Sequence, residues 1–144
     1  MKRKTLKTKI IALILAIVLL VAVPLMTASA GEPGPYNGYI NITVNGTSTR
    51  LANAAMGWGA SGYSAGTTKA TNSIATNVSV AASISVYDSL INSYYPLNSV
   101  TFIDPSKASA SFNAPSYITV LYCTTTHGAS SPNGGTTISL NPPE

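Results

Sequence analysis

The chain has 144 residues, a formal net charge of +4, one cysteine and one histidine, which suits one small domain and excludes a multidomain enzyme. The excess positive charge lies entirely within the first nine residues. From residue 31 onward, three basic side chains face four acidic ones. The net charge therefore describes the N-terminal segment, and it gives no reason to expect binding to nucleic acid or to anionic membranes.

The N-terminus has the three parts of a secretory signal peptide. Residues 1–9 are basic, residues 10–26 form an apolar run broken only by Pro24, and Ala28 and Ala30 supply a small-residue cleavage site. An uncleaved membrane anchor is the alternative, because seventeen apolar residues just reach the lower limit for crossing a bilayer. Pro24 and the small residues favour cleavage. We therefore expect a signal peptide over residues 1–30 and a secreted, extracellular domain over residues 31–144, with no membrane insertion after cleavage.

The composition of residues 31–144 is polar but not that of a disordered chain. Ser, Thr and Asn make up 42 of these 114 residues, whereas only seven are charged. Disordered segments combine high charge with few β-branched and aromatic residues, and here Val, Ile, Thr and Tyr are frequent and regularly placed. These residues are expected to fold without an intrachain disulfide, because Cys123 has no partner.

The first strands follow from alternation of apolar and polar residues. Residues 39–44 and 47–51 flank Asn45-Gly46, a dipeptide that readily takes the positive φ angles of a type I′ turn, so a hairpin is predicted. Residues 74–86 also alternate. Thirteen residues is long for one strand, so a bend or bulge is expected near Ala81-Ala82.

The remaining segments complete an all-β pattern. Further strands are predicted over residues 100–103, 108–112, 117–124 and 136–140, with turns at Pro105 and Pro115 and a loop over residues 127–135. The only helical signal is a single turn within residues 88–95. About seven short strands favour a single small antiparallel β-sandwich, with an open β-barrel as the second choice.

Catalytic chemistry has few candidates in this chain. Cys123 and His127 are four residues apart, about 13 Å along an extended strand, so a Cys–His dyad requires a turn between them. The preferred interpretation is that Cys123 packs as a small hydrophobic residue and His127 begins a loop. Asp88 ends a strand, and Asp104 precedes Pro105 as a turn residue. We expect no enzyme, no metal site and no cofactor.

Cys123 also raises the question of an intermolecular disulfide, because an odd cysteine in an exported protein can link two chains. It shares a strand face with Tyr117, Thr119 and Leu121. Burial is favoured over cross-linking, since free cysteine is among the most buried residue types.

Two functions from different classes fit these residues. The first is a structural or adhesive extracellular protein that associates with itself or with cell-surface material through strand edges. Residues 73–87 are uncharged, free of proline and rich in β-branched side chains, which favours pairing between molecules if this strand lies at a sheet edge. If the strand is central, the argument fails.

The alternative function is a glycan-binding module. Trp58 and Tyr63 lie in the glycine-rich segment 56–66, and in a mobile loop their rings, with Tyr94 and Tyr95, offer a platform on which sugars stack. The competing interpretation of Trp58 is that it anchors the core of a small sandwich.

Overall fold

The computed structural model describes residues 33–142, and this part of the chain forms nine β-strands and no helix. The strands are β1 (Gly34–Val44), β2 (Thr47–Gly59), β3 (Gly62–Lys69), β4 (Asn77–Asp88), β5 (Ser93–Asn98), β6 (Phe102–Asp104), β7 (Lys107–Asn113), β8 (Ile118–Ser131) and β9 (Gly134–Leu140). The predicted signal peptide, residues 1–30, lies outside the described residues.

The strands form two antiparallel sheets that pack face to face. Sheet 1 has the order β1-β2-β3-β7, and sheet 2 has the order β5-β4-β8-β9, with β6 also paired to β4. The predicted antiparallel β-sandwich is confirmed, and the sheets do not close into a barrel. There are nine strands instead of the seven expected, because residues 62–69 form β3 and residues 93–98 form β5, which begins where a helical turn was expected.

The core follows from alternation along each strand. On β4, every second residue from Val78 to Val86 is buried, while the residues between them face outward. The opposite layer supplies Ile40, Leu51 and Met56, all 2% exposed or less. The nine described strands and the core between the sheets lie within residues 34–140, so a chain that starts at residue 31 retains all of them.

The predicted β1–β2 hairpin is present. Its two-residue turn places Asn45 at φ 50° and Gly46 at φ 76°, and Val44 pairs with Thr47. Both residues occupy the left-handed region that asparagine and glycine tolerate best.

The irregularity expected near Ala81-Ala82 is elsewhere. β4 pairs regularly with β8 through that dipeptide, and the register shifts between Ser85 and Val86. The prediction was wrong because the extra residue, Leu121, belongs to the partner strand. A bulge on β8 leaves the alternation of β4 intact.

The position of β4 also corrects the argument for self-association. β4 pairs with β8 on one side and with β5 and β6 on the other, so it is a central strand. Residues 73–87 therefore offer no free edge, and pairing between molecules through this segment is ruled out in the folded protein.

Candidate functional site

The four aromatic residues predicted to bind glycans do not form one surface. Trp58 and Tyr63 are cross-strand partners on β2 and β3, and each is only 8% exposed. The glycine-rich segment is not a loop, because Gly57 and Gly59 are the outward positions of β2 and Trp58 points inward between them. The exposed platform proposed for Trp58 and Tyr63 is therefore corrected to core packing.

Trp58 has a particular environment within that core. Its ring meets Tyr122 edge to face, with ring centroids 6.4 Å apart. Its Nε1 is the one buried side-chain polar atom among the described residues that has no hydrogen-bond partner. Trp58 thus stabilises the core by packing and not by hydrogen bonding.

Tyr94 and Tyr95 lie on β5 and face opposite ways. Tyr95 is partly buried against the core, and its hydroxyl donates to Asp88 Oδ2 at 3.1 Å. Burial and this carboxylate both raise the pKa of Tyr95. Tyr94 is 66% exposed, and its ring lies 4.9 Å from the ring of Tyr87 on the outer face of sheet 2. Of the four predicted residues, Tyr94 is the one that is open to solvent.

Cys123 and His127 both point into the core from β8 and neither is exposed. Burial raises the pKa of the Cys123 thiol to about 12, so the reactive thiolate is suppressed. A disulfide to another chain would require the folded protein to open around Cys123.

His127 is held by two threonines and does not begin a loop, as the sequence had suggested. Thr67 Oγ1 donates to the carbonyl oxygen of Ser79 at 2.7 Å, so it accepts from His127 Nδ1 at 2.8 Å. In the neutral ring Nε2 then accepts from Thr125 Oγ1 at 2.7 Å, a closer acceptor for that hydroxyl than Met56 Sδ at 3.4 Å. Both ring nitrogens are thereby used, which leaves none to act as a base toward Cys123.

The ionic state of His127 follows from its position. Burial lowers its pKa to about 4, against a smaller opposing effect from the backbone of Gly66. The imidazole is therefore neutral at physiological pH, and protonating it would place an unpaired charge in the core.

The two internal acids hold turns. Asp104 Oδ1 accepts from the backbone N–H groups of Ser106 and Lys107, both at 2.7 Å, and these bonds lower its pKa. The turn role predicted for Asp104 is confirmed. Asp88 Oδ1 accepts from the Leu90 N–H at 2.9 Å. Within residues 33–142 no three metal-ligating side chains cluster, and no helix of this part of the chain is long and apolar enough to cross a membrane.

Sequence reasoning missed where the large hydrophobic side chains reach solvent. Seven of the nine exposed ones in the described chain fall into two groups. We call the first the apolar tip; it consists of Leu90, Ile91, Tyr94 and Tyr117. The second group, Val100, Phe102 and Ile103, lies on or beside β6 and is not one surface, because Phe102 pairs with the inward Val80 and Ile103 with the outward Ser79. The adjacent pair Leu90-Ile91 between Asp88 and Asn92 was the available signal, because turns usually carry small or polar residues at their centre.

Hydrogen bonds fix the loop that carries the apolar tip. Tyr87 Oη donates to Asn92 Oδ1 at 2.8 Å across the base of the β4–β5 loop. The N–H and hydroxyl groups of Ser89 both donate to the carbonyl oxygen of Tyr117, at 2.9 and 3.1 Å. With the Asp88–Leu90 bond, these contacts hold a short hairpin loop whose aliphatic side chains, Leu90 and Ile91, are 72% and 65% exposed.

The opposite end of sheet 2 carries a groove on its outer face. The groove has a volume of about 560 Å³ and is lined by residues of β4, β6, β8 and β9. Gly128 forms part of its floor, and a Cβ atom there would lie 2.5 Å from Ser79 Oγ and 3.3 Å from Thr137 Cγ2. Ile103, 69% exposed, stands at one side. The lining contains no charged residue.

Comparison with known proteins adds no family or relative to the structural features described above. No protein-family model matches the chain, and neither a curated protein nor a solved structure matches it.

Proposed function

We propose that this chain is an exported, non-enzymatic structural or adhesive protein that associates with copies of itself or with cell-surface material. The observation that carries the proposal is the apolar tip, in which four large apolar side chains are exposed at one end of sheet 2 on a nearly uncharged surface. Clustered apolar patches on soluble proteins mark interaction sites, whereas scattered single residues do not. The described part of the chain has only five charged side chains, so repulsion between copies is weak.

The chemistry-bearing residues support a role without catalysis. Cys123 and His127 are buried, and Asp88 and Asp104 accept hydrogen bonds within turns. None of the four faces a cleft in which a substrate would meet a second reactive group.

Most edge strands of the two sheets contain residues that disfavour pairing with a strand of another molecule. The free edge β1 contains Pro35, β5 contains Pro96, and β7 begins with Lys107, all devices that blunt edge pairing. β9 is the edge strand that lacks such a residue, and its Ile138 and Leu140 side chains pack toward Gly38 of β1. Because three of the four edge strands carry a residue that disfavours pairing, the proposal relies on side-chain contacts for association.

Sedimentation velocity of residues 31–144 tests self-association. Over a wide concentration range, we expect the sedimentation coefficient to rise with concentration and to be unchanged by reductant, because Cys123 is buried. A monomer at every concentration would contradict self-association, and a dimer that reductant dissolves would assign association to Cys123 instead.

Glycan binding is the second candidate, and Tyr94 favours it. Its exposed ring lies beside that of Tyr87 on a face rich in hydroxyl groups, which is suitable for stacking against the C–H face of a neutral sugar. We expect Tyr94→Ala to reduce binding to neutral polysaccharides by about tenfold, the loss of one stacked ring.

Affinity electrophoresis in gels that contain neutral polysaccharides measures this effect. Tyr39→Ala is the matched control, because Tyr39 is 57% exposed but lies on sheet 1 under the Arg50 guanidinium. Equal retardation of both variants and the parent would remove Tyr94 from any glycan site.

A further inference from the structure

The two ends of the sandwich differ in charge. Four of the five charged side chains among the described residues lie away from the apolar tip, toward the opposite end of the strands: Arg50, Lys69, Asp104 and Lys107. The fifth, Asp88, lies beside the tip but is buried, and its two oxygens accept from the Leu90 N–H and the Tyr95 hydroxyl. Within residues 33–142, the end that carries the apolar tip therefore presents no exposed charge.

The polarity of this end changes in layers. Leu90 and Ile91, which carry no polar side-chain atom, are the most exposed members of the tip together with Tyr94 and lie at the centre of the loop. The rings of Tyr94 and Tyr117 adjoin the loop at the starts of β5 and β8, and each ends in a hydroxyl group. Aliphatic groups, then tyrosine rings, then hydrated polar groups is also the order met from the hydrocarbon of a lipid bilayer to its headgroups.

The chain enters the fold at this same end. Gly34 begins β1 and pairs with Trp58, next to the β2–β3 turn. Ala60 in that turn accepts at 2.9 Å from the N–H of Val120, where β8 begins and pairs with the end of β4. Residues 27–33 separate Gly34 from the apolar run of the predicted signal peptide, and fully extended they reach at most ~29 Å. While that run is in a membrane, the end with the apolar tip is the one held near the bilayer.

We propose that the apolar tip inserts into the interfacial layer of a neutral lipid bilayer, which names the cell-surface material of the proposed function and rests on it. Leu90 and Ile91 enter the outer hydrocarbon, and the tyrosine rings lie at the level of the headgroups. A bilayer is fluid and adapts to a convex loop, whereas a protein partner must offer a matching cavity. The expected absence of membrane insertion after cleavage concerned residues 10–26, and this shallow contact is made by the folded domain.

The hydrogen bonds of the loop lower the cost of the contact. They already fix its conformation, so little conformational entropy is lost when Leu90 and Ile91 leave water. No exposed ion of the described chain loses its hydration at this end, and the contact is therefore insensitive to salt. Two aliphatic side chains and two rings give weak, reversible binding, which is enough to retain an exported protein at a membrane surface for part of the time.

A pair of double variants tests the proposal. The tip variant carries Leu90→Ser and Ile91→Ser. The control carries Val100→Ser and Ile103→Ser, which removes two aliphatic side chains of similar exposure, 71% and 69%, outside the tip. Flotation of residues 31–144 with phosphatidylcholine vesicles measures the fraction bound. We expect the partition coefficient of the tip variant to fall about tenfold or more, while the control binds as the parent does and added salt changes neither. Denaturant unfolding confirms that each variant keeps the fold.

A tryptophan reporter identifies the part of the molecule that enters the lipid. We expect the emission of Ile91→Trp to shift to shorter wavelength on addition of vesicles and to be quenched by brominated phosphatidylcholine. Ile103→Trp, at the other end of sheet 2, should show neither change. Trp58 is buried and common to both proteins, so a difference between them belongs to the introduced ring.

Three results would overturn the proposal, and they are distinct. If the tip variant binds vesicles as well as the parent does, the tip is not the contact. If the parent ignores vesicles but associates with itself in sedimentation velocity, the bilayer is the wrong partner although the proposed function stands. A parent that neither binds vesicles nor associates with itself overturns this contact and leaves the proposed function without either of its supports.

Discussion

Trp58→Ala is expected to lower the free energy of unfolding by about 3–5 kcal/mol, the usual cost of removing a large aromatic side chain from a core. Trp58 is 8% exposed and packs against Tyr122, so its removal leaves a cavity between the sheets. Urea or guanidinium denaturation followed by circular dichroism measures the change, with the slope of the transition checked against that of the parent.

Trp58→Phe separates packing from hydrogen bonding at the same site. The Trp58 Nε1 atom has no partner, so phenylalanine loses no hydrogen bond and keeps most of the ring. We expect it to cost less than half as much as alanine. Tyr94→Ala is the exposed control and should leave stability within about 0.5 kcal/mol of the parent. An alanine variant of Trp58 as stable as the parent would contradict the placement of this residue in the core.

His127 is expected to make the fold sensitive to mild acid. Folding lowers the pKa of His127 from an ordinary 6.5 to about 4. Between these two pH values the imidazole is mostly protonated in the unfolded chain and mostly neutral in the folded chain. The stability that His127 contributes is therefore fully present well above pH 6.5, and it decreases as pH falls through 6.5 toward 4, by a total of about 3 kcal/mol.

A loss of stability between pH 6.5 and 4 can be assigned to His127 because the chain has a single histidine. Asp104, whose pKa is lowered from 3.8, contributes stability that is lost only at more acidic pH. Denaturant titrations at half-unit steps from pH 7.5 to 4 on untagged protein measure the slope. His127→Gln places an amide, which does not titrate, within reach of the same threonines, so its free energy of unfolding should not vary with pH over this range. The same slope in parent and variant would refute the role of His127.

The sandwich was predictable because its signals are local. Asn45-Gly46 specifies its own turn, and alternation along residues 78–86 specifies one buried face whatever the neighbouring strands are. The place of a strand within its sheet is not local information. The alternation of β4 is the same for an edge strand and a central strand with one solvent-facing side, so only its pairing partners reveal that it is central.

The candidate site was less predictable for a related reason. Trp58 between two glycines fits a loop as well as a strand whose outward positions are glycine, and the sequence alone does not separate the two. His127 entered the core because Thr67, sixty residues away, accepts from its Nδ1. Leu90 and Ile91 reach solvent because a fixed loop holds them there, which depends on hydrogen bonds to Tyr117.

The central position of β4 has a consequence for the newly synthesised chain. β5 follows β4 closely, but it covers only residues 83–88, whereas the long pairing partner β8 begins thirty residues after β4 ends. Synthesis proceeds from the N-terminus, so β4, which is uncharged up to its last residue Asp88, is complete while the edge that pairs with β8 is still unpaired. A chain whose synthesis stalls before Ile118 would leave β4 without β8. Aggregation of such a chain would result from the order in which the strands are made, and the stability of the finished fold would not prevent it.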